Sequence, residues 1–266
     1  MTYSKKNPRI LSVYGAFLFW EVFMKRNWWR ASRALAAFLF FSLSFLLASR
    51  LMHLPAALYT ESEGEEGKTP VTVVLDAGHG GVDGGAVGVN GSVEKDINLA
   101  ITLEIGRLLS DAGVRVVYTR QDDREVCSDE ERHSGHRKMY DLKNRLAIAH
   151  ATEGAVLVSI HMNTYSSSNC RGLQVYYAPT APEGRILADK IQARVRADLQ
   201  QDNRRVTKAA GESIYLLHHA TCPAVLVECG FLSSPAECQK LSDKDYQREL
   251  SFSIFCAIIE YIEQTS

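Results

Sequence analysis

Two histidines and two carboxylates carry the chemistry legible in this sequence. Leu75-Asp76-Ala77-Gly78-His79-Gly80-Gly81 sets one histidine in a glycine-rich turn directly after an apolar run, and Glu94 follows fifteen residues on. His161 lies in Ser159-Ile160-His161-Met162-Asn163, and Glu228 closes the apolar run Ala224-Val225-Leu226-Val227. Glycine on both sides of His79 lets a metal and a substrate approach the backbone and lets the turn adopt positive φ. Two histidines and one glutamate are a common donor set for catalytic zinc, with the fourth position left for water. His79, Glu94 and His161 are therefore the candidate Zn2+ ligands. A carboxylate at the end of an apolar strand is costly to bury unpaired. Beside a metal-bound water, Glu228 has a use: as a base it takes the water's proton and later returns it to the leaving group.

Each residue alone has a plainer reading. Gly78-x-Gly80 suggests a phosphate loop, but neither Gly-Lys-Ser/Thr nor a full G-x-G-x-x-G follows. Glu94 in a first helical turn serves the helix dipole. His161 alone reads as a hydrogen-bonded core histidine, and Glu228 as a surface residue just past a strand. Their joint placement raises all four. H-E-x-x-H, H-x-x-E-H and G-x-S-x-G are absent, which excludes a helix-borne metallopeptidase site and a serine nucleophile elbow. His133 and His136 fall in a charged loop, His150 near a helix end, and His218 and His219 in a loop before Pro223. Strand alternation turns Cys229 to the face opposite Glu228.

The elements that must position these groups alternate. Strands are predicted at Val71–Leu75, Val114–Thr119, Ala155–Ile160, Gly172–Tyr177, Ser213–Leu217 and Ala224–Glu228. Helical spacing runs through 94–112, 139–152, 182–200 and 244–263, and residues 120–138 read as a long exposed charged loop. The strands are apolar on both faces. That predicts a single α/β domain with a largely parallel twisted sheet covered by helices on both faces. In such a sheet ligands bind beyond the carboxyl ends of the strands. The ends at His79, His161 and Glu228 then share one edge.

The chain has 266 residues and a formal net charge of −1, which argues against a nucleic-acid binder. Residues 1–57 read as a basic region followed by a signal peptide or membrane anchor, its uncharged stretch at 34–48 being short of the roughly 20 residues of a spanning helix. Met24 is the expected translation start. Residues 58–70, acidic and small from Glu61 on, read as a linker, and residues 71–266 as the catalytic domain. The product is expected outside the cytoplasm. Export permits disulfides, but the six cysteines lack C-x-x-C spacing and read mainly as buried apolar residues or free thiols.

Taken with Asp83-x-Gly85-Ala86, Glu94-Lys95-Asp96-Ile97-Asn98-Leu99 and Pro223 through Ser233, these motifs resemble the zinc-dependent N-acetylmuramoyl-L-alanine amidases over residues 71–264. The segment Ser134–Arg145 is most similar to the sporulation and germination-specific cortex amidases. The resemblance implies His79, Glu94 and His161 as zinc ligands and Glu228 as the catalytic glutamate. It also implies hydrolysis of the amide between N-acetylmuramic acid and L-alanine in peptidoglycan, the step before muramic-δ-lactam formation. Met162 and Cys229 depart from the commonest family pattern without replacing the chemistry. Only ten residues, 162–171, separate His161 from Gly172, too few for the covering insertion of some relatives. With no recognisable wall-binding repeat either, control is expected from outside the chain, by export, by timing or by an activating or localising protein partner. A peptidoglycan deacetylase would need an aspartate-rich first motif and His-x-x-x-His, which are missing. A non-catalytic wall-binding domain would have lost one of the four residues.

Overall fold

Among the described residues the chain forms six strands, the apolar β1 (Thr72–Ala77), β2 (Arg115–Tyr118), β3 (Ala155–Asn163), β4 (Gln174–Tyr177) and β6 (Ala224–Phe231) and the short exposed β5 (Lys208–Ala209). The structure, a computed structural model, describes residues 69–265. The expectations for the basic region, the export or anchor segment, the Met24 start and most of the linker lie outside the described residues. The strands make one sheet in the order β2-β1-β3-β6-β4-β5. All neighbouring pairs are parallel except β4 with β6. The sheet is thus largely parallel, as expected. The reversed β4 follows from its ten-residue link to the end of β3, residues 164–173, too short for the crossover a parallel return needs.

Among the described residues seven helices flank the sheet: α1 (Glu94–Asp111), α2 (Asp129–Arg132), α3 (Arg137–Ala151), α4 (Glu183–Asp198), α5 (Tyr215–His219), α6 (Pro235–Leu241) and α7 (Lys244–Thr265). On one face Val73, Leu75, Val158, Ile160, Val225 and Val227 meet Ile101, Ile105, Leu187, Ile191, Leu250 and Ile254 from α1, α4 and α7. On the other, Val74, Leu157 and Leu226 meet Leu146 and Ala149 of α3 and Leu216 and Leu217 of α5. Each fully buried aliphatic side chain contributes about 1.5–3 kcal/mol. Alternation along β3 and β6 puts His161 and Glu228 on the α3–α5 face, and Cys229 packs into the opposite core as expected.

Three local readings change. Residues 213–217 are not a strand; the chain forms the one-turn helix α5, because Leu216, Leu217 and Ala220 reach the core together only at helical spacing. Residues 120–138 are not simply an exposed loop. They hold α2, started by a Ser128–Glu131 capping box, and they bury Arg120, Glu125 and Cys127. Both β3 and β6 run past the apolar stretch, so His161 and Glu228 lie within strands. All six cysteines are free thiols, with Cys127, Cys229 and Cys238 buried.

Candidate active site

Past the end of β1 the backbone turns through positive φ at three successive residues, His79 (63°), Gly80 (135°) and Gly81 (56°). For His79 that conformation is strained, since the left-handed region crowds Cβ against the following carbonyl. The turn aims the imidazole at the first turn of α1. That helix has no capping side chain. Its first amides, from Glu94 and Lys95, donate instead to the carbonyls of Ala86 and Gly84. Glu94 is therefore free of a capping role and points into the site.

Glu94 Oε1 stands between the two histidines, 3.2 Å from His79 Nε2 and 3.1 Å from His161 Nδ1. It also accepts the Met162 amide at 3.0 Å, while Oε2 accepts the Ala86 amide at 2.8 Å. The rings of His79 and His161 meet edge to face with centroids 5.0 Å apart. One donor atom from each of His79, Glu94 and His161 lies within 4.8 Å of the others, so the group could hold a metal ion. Burial works against the ionised Glu94, but the bonds from His161 and His79 outweigh it and hold the carboxyl well below its usual range. Burial likewise opposes charge on His79. The carboxylates of Glu94 and Asp83 overcome this and hold its pKa above the usual value. Asp83, 3.0 Å from His79 Nδ1, fixes the ring so that Nε2 faces Glu94.

The glycines here are spatial requirements. A Cβ on Gly78 would lie 2.2 Å from the His161 ring, and one on Gly85 would lie 2.5 Å from Glu94 Oε2. Gly78→Ala is thus expected to push His161 out of place and weaken metal binding by about 10- to 100-fold. The thermal midpoint of the metal-free protein should move by only a few degrees. Metal titration beside a melting curve checks this; unimpaired metal binding would refute the packing argument.

Glu228 is the register partner of His161 across β3 and β6. Its Oε2 is buried without a hydrogen-bond partner. Burial pushes its pKa up, with the Glu94 charge adding to the rise. A buried carboxylate oxygen left without a partner is costly, and this one lies beside the two histidines. His79, His161 and Glu228 open on a cleft of about 250 Å3, walled by α3 through Lys138 and Leu142 and by the start of α5 through Tyr215 and the preceding Ile214. Neither His218 nor His219 lines it; His219 instead packs on Tyr215, with ring centroids 4.4 Å apart. The four residues singled out in the sequence are therefore brought together.

A second group beneath the turn was not foreseen. Asp76, 1% exposed, accepts from Thr119 Oγ1 at 2.7 Å, Arg145 Nη1 at 2.7 Å and Ser159 Oγ at 2.5 Å. A signal existed: Arg145 shares the apolar stripe of α3 with Leu142, Leu146 and Ala149, an expensive place for a charge unless it is paired. Burial opposes ionisation of Asp76, yet Arg145 and the two hydroxyls bring its pKa down to about 2. A depressed folded-state value stabilises above the unfolded pKa near 4 and loses that contribution as pH falls toward 2. The size is about 2 kcal/mol. Asp76→Asn removes the more deeply buried of the two carboxylates paired with Arg145, leaving Asp141 at 2.7 Å, and should cost about 2 kcal/mol at neutral pH. The gap from wild type should narrow as pH falls from 5 to 2, read by denaturant unfolding; a pH-independent gap would contradict the assignment.

The sequence profile of a family described as N-acetylmuramoyl-L-alanine amidase matches residues 73–260. The germination-specific N-acetylmuramoyl-L-alanine amidase of Bacillus subtilis is 33% identical over 192 residues, covering 72% of this chain and 80% of that protein. Among solved structures, the CwlD amidase of Clostridioides difficile, determined in complex with the GerS lipoprotein, is 36% identical with a TM-score of 0.69, covering 73% of this chain and 99% of that one. The amidase AmiC2 of Nostoc punctiforme is 30% identical with a TM-score of 0.63, covering 74% and 99%.

Proposed function

The chain belongs to the Amidase_3 family of N-acetylmuramoyl-L-alanine amidases, and we propose that it works within that family as a zinc enzyme of the spore cortex. As a peptidoglycan amidase it hydrolyses the bond joining the lactyl group of N-acetylmuramic acid to the L-alanine of the stem peptide. The observation that carries the zinc reading is the convergence of His79, Glu94 and His161 beside the unpartnered Glu228 carboxylate. Two imidazole nitrogens and one carboxylate oxygen fit a catalytic zinc with an open fourth position. When bound, zinc supplies Lewis-acid polarisation of the carbonyl and lowers the pKa of water. The chain's own residues do the rest. Glu228 Oε2 takes the proton of the attacking water and passes it to the amide nitrogen as the carbon–nitrogen bond breaks. Asp83 holds the His79 ring. Leu142 and Tyr215 narrow the cleft and limit stray water.

The cortex assignment rests on the germination-specific relative and on the likeness of residues 134–145 to that subgroup. Action would lie outside the cytoplasm, with residues 1–57 as export signal or membrane tether. Among the described residues no helix is long and apolar enough to cross a membrane. A protein partner is proposed as well, because the CwlD relative was solved with a lipoprotein. The purified 266-residue chain, loaded with zinc, should create new L-alanine N-termini on isolated cortex, lose that activity to a chelator and regain it with zinc. Absence of such termini on any peptidoglycan would sink the bond assignment. Equal rates on cortex and vegetative wall would sink the cortex assignment, and full activity without additions would remove the need for a partner.

A further inference from the structure

The three ligands of the proposed metal site come from three separate elements: the turn after β1, the start of α1 and the end of β3. We propose that two buried arginines, Arg120 and Arg145, are positioning residues that hold these elements in register for metal binding. This rests on the zinc reading above.

Both side chains are almost fully buried, at 1% and 2% exposure. Together they take up the carbonyls of three consecutive residues. Arg120 donates from Nε to Ala77 O at 2.8 Å and from Nη2 to Gly78 O at 3.0 Å. Arg145 donates from Nη1 to Ala77 O at 2.7 Å and from Nη2 to His79 O at 2.6 Å. The Gly78 and His79 carbonyls belong to the peptide planes just before and just after the His79 Cα. Because peptide units are rigid planes, holding both fixes the φ and ψ of His79, which sits at a φ of 63° that a histidine would otherwise leave.

Each arginine also reaches a second ligand's element. Arg120 Nη2 donates to Lys95 O at 2.9 Å, in the helical turn that carries Glu94. Arg145 Nη1 donates to Asp76, whose other oxygen accepts from Ser159, two residues before His161 on β3. One guanidinium thus ties His79 to Glu94, and the other ties His79 to His161. Charge neutralisation alone does not account for this. Arg120 makes no ion pair among the described residues, and its bonds all go to main-chain carbonyls, the fourth being Asp122 O at 3.0 Å. A lysine would keep the charge but lose the planar fork.

The test compares the full chain with its Arg120→Lys and Arg145→Lys variants. Zinc affinity is read by chelator competition, the thermal midpoint on metal-free protein, and kcat and KM on a muramoyl peptide. The expected result is a loss of zinc affinity of about 10- to 100-fold in either variant. At saturating zinc, kcat should fall with KM little changed, and the metal-free midpoint should stay within a few degrees of wild type. Zinc affinity and kcat equal to wild type in both variants would overturn the proposal. So would variants whose metal-free form is already unfolded at the assay temperature, since the arginines would then act on stability alone. A wild-type chain that binds no zinc overturns the zinc reading and this one with it; equal zinc binding by wild type and variants overturns this one only.

Discussion

Glu228→Gln is expected to lower kcat on wall substrate by about 10²- to 10⁴-fold, the usual contribution of a positioned general base. Zinc affinity should stay near wild type, because Glu228 is not one of the three converging donors. The variant also makes an opposite prediction for stability. Burial raises the Glu228 pKa, and Oε2 has no partner. A folded-state pKa above the unfolded value gives a contribution present at pH below the ordinary carboxylate range and lost as pH rises through the raised value. Near neutral pH the burial of this carboxyl therefore weakens the metal-free fold, a cost that glutamine removes. The metal-free Glu228→Gln chain should melt at or above the wild-type temperature near pH 7 and show no such gain near pH 4. A protein that is both less active and more stable has given up a strained functional group. If Glu228→Gln keeps wild-type kcat, the proton role fails. If it is strongly destabilised at neutral pH, Glu228 belongs to the structure and not to the chemistry.

How much of this was legible beforehand depends on the kind of signal. Strands such as Val73–Leu75 and Ala224–Val227 announce themselves by composition, and their parallel arrangement follows from the alternating helices. With parallel strands, the histidine after β1, the histidine on β3 and the carboxylate on β6 had to meet at one edge. Glu94 was legible only through its distance from His79, because a first-turn glutamate is ordinary. The Asp76–Arg145–Ser159 group was not foreseen, since it joins residues 69 and 83 positions apart whose pairing depends on tertiary packing. Arg120 was hidden for a further reason. Its partners are main-chain carbonyls, which leave no mark on the sequence. The 213–217 segment misled because a short apolar run fits a strand or a single helical turn equally well.

Glu94→Gln isolates the ligand role with little change in size, and its effect should be the largest of any single substitution at the site. Oε1 of Glu94 faces both histidines and the Met162 amide, while Oε2 faces the Ala86 amide. An amide side chain has one acceptor and one donor end. In either orientation its NH₂ group opposes a backbone N–H that the carboxylate had satisfied, at a cost of about 1–3 kcal/mol. The same change removes an anionic donor from the metal group. Zinc affinity should therefore fall further than the roughly 10- to 100-fold expected when a supporting partner is lost, and activity should drop to background. The pH dependence follows from two opposed shifts. Glu94 is held below its ordinary value of 4.5, so its contribution is present above that pH and is lost as pH falls. His79 is held above its ordinary 6.5, so its contribution is complete below that pH and is lost as pH rises through the raised value. The stability advantage of metal-free wild type over Glu94→Gln should therefore be greatest at pH between about 4.5 and 6.5 and shrink on both sides. Denaturant unfolding across that range, beside zinc competition, decides it. A pH-independent advantage would mean that Glu94 and His79 are not coupled, and zinc binding equal to wild type would remove Glu94 from the ligand set.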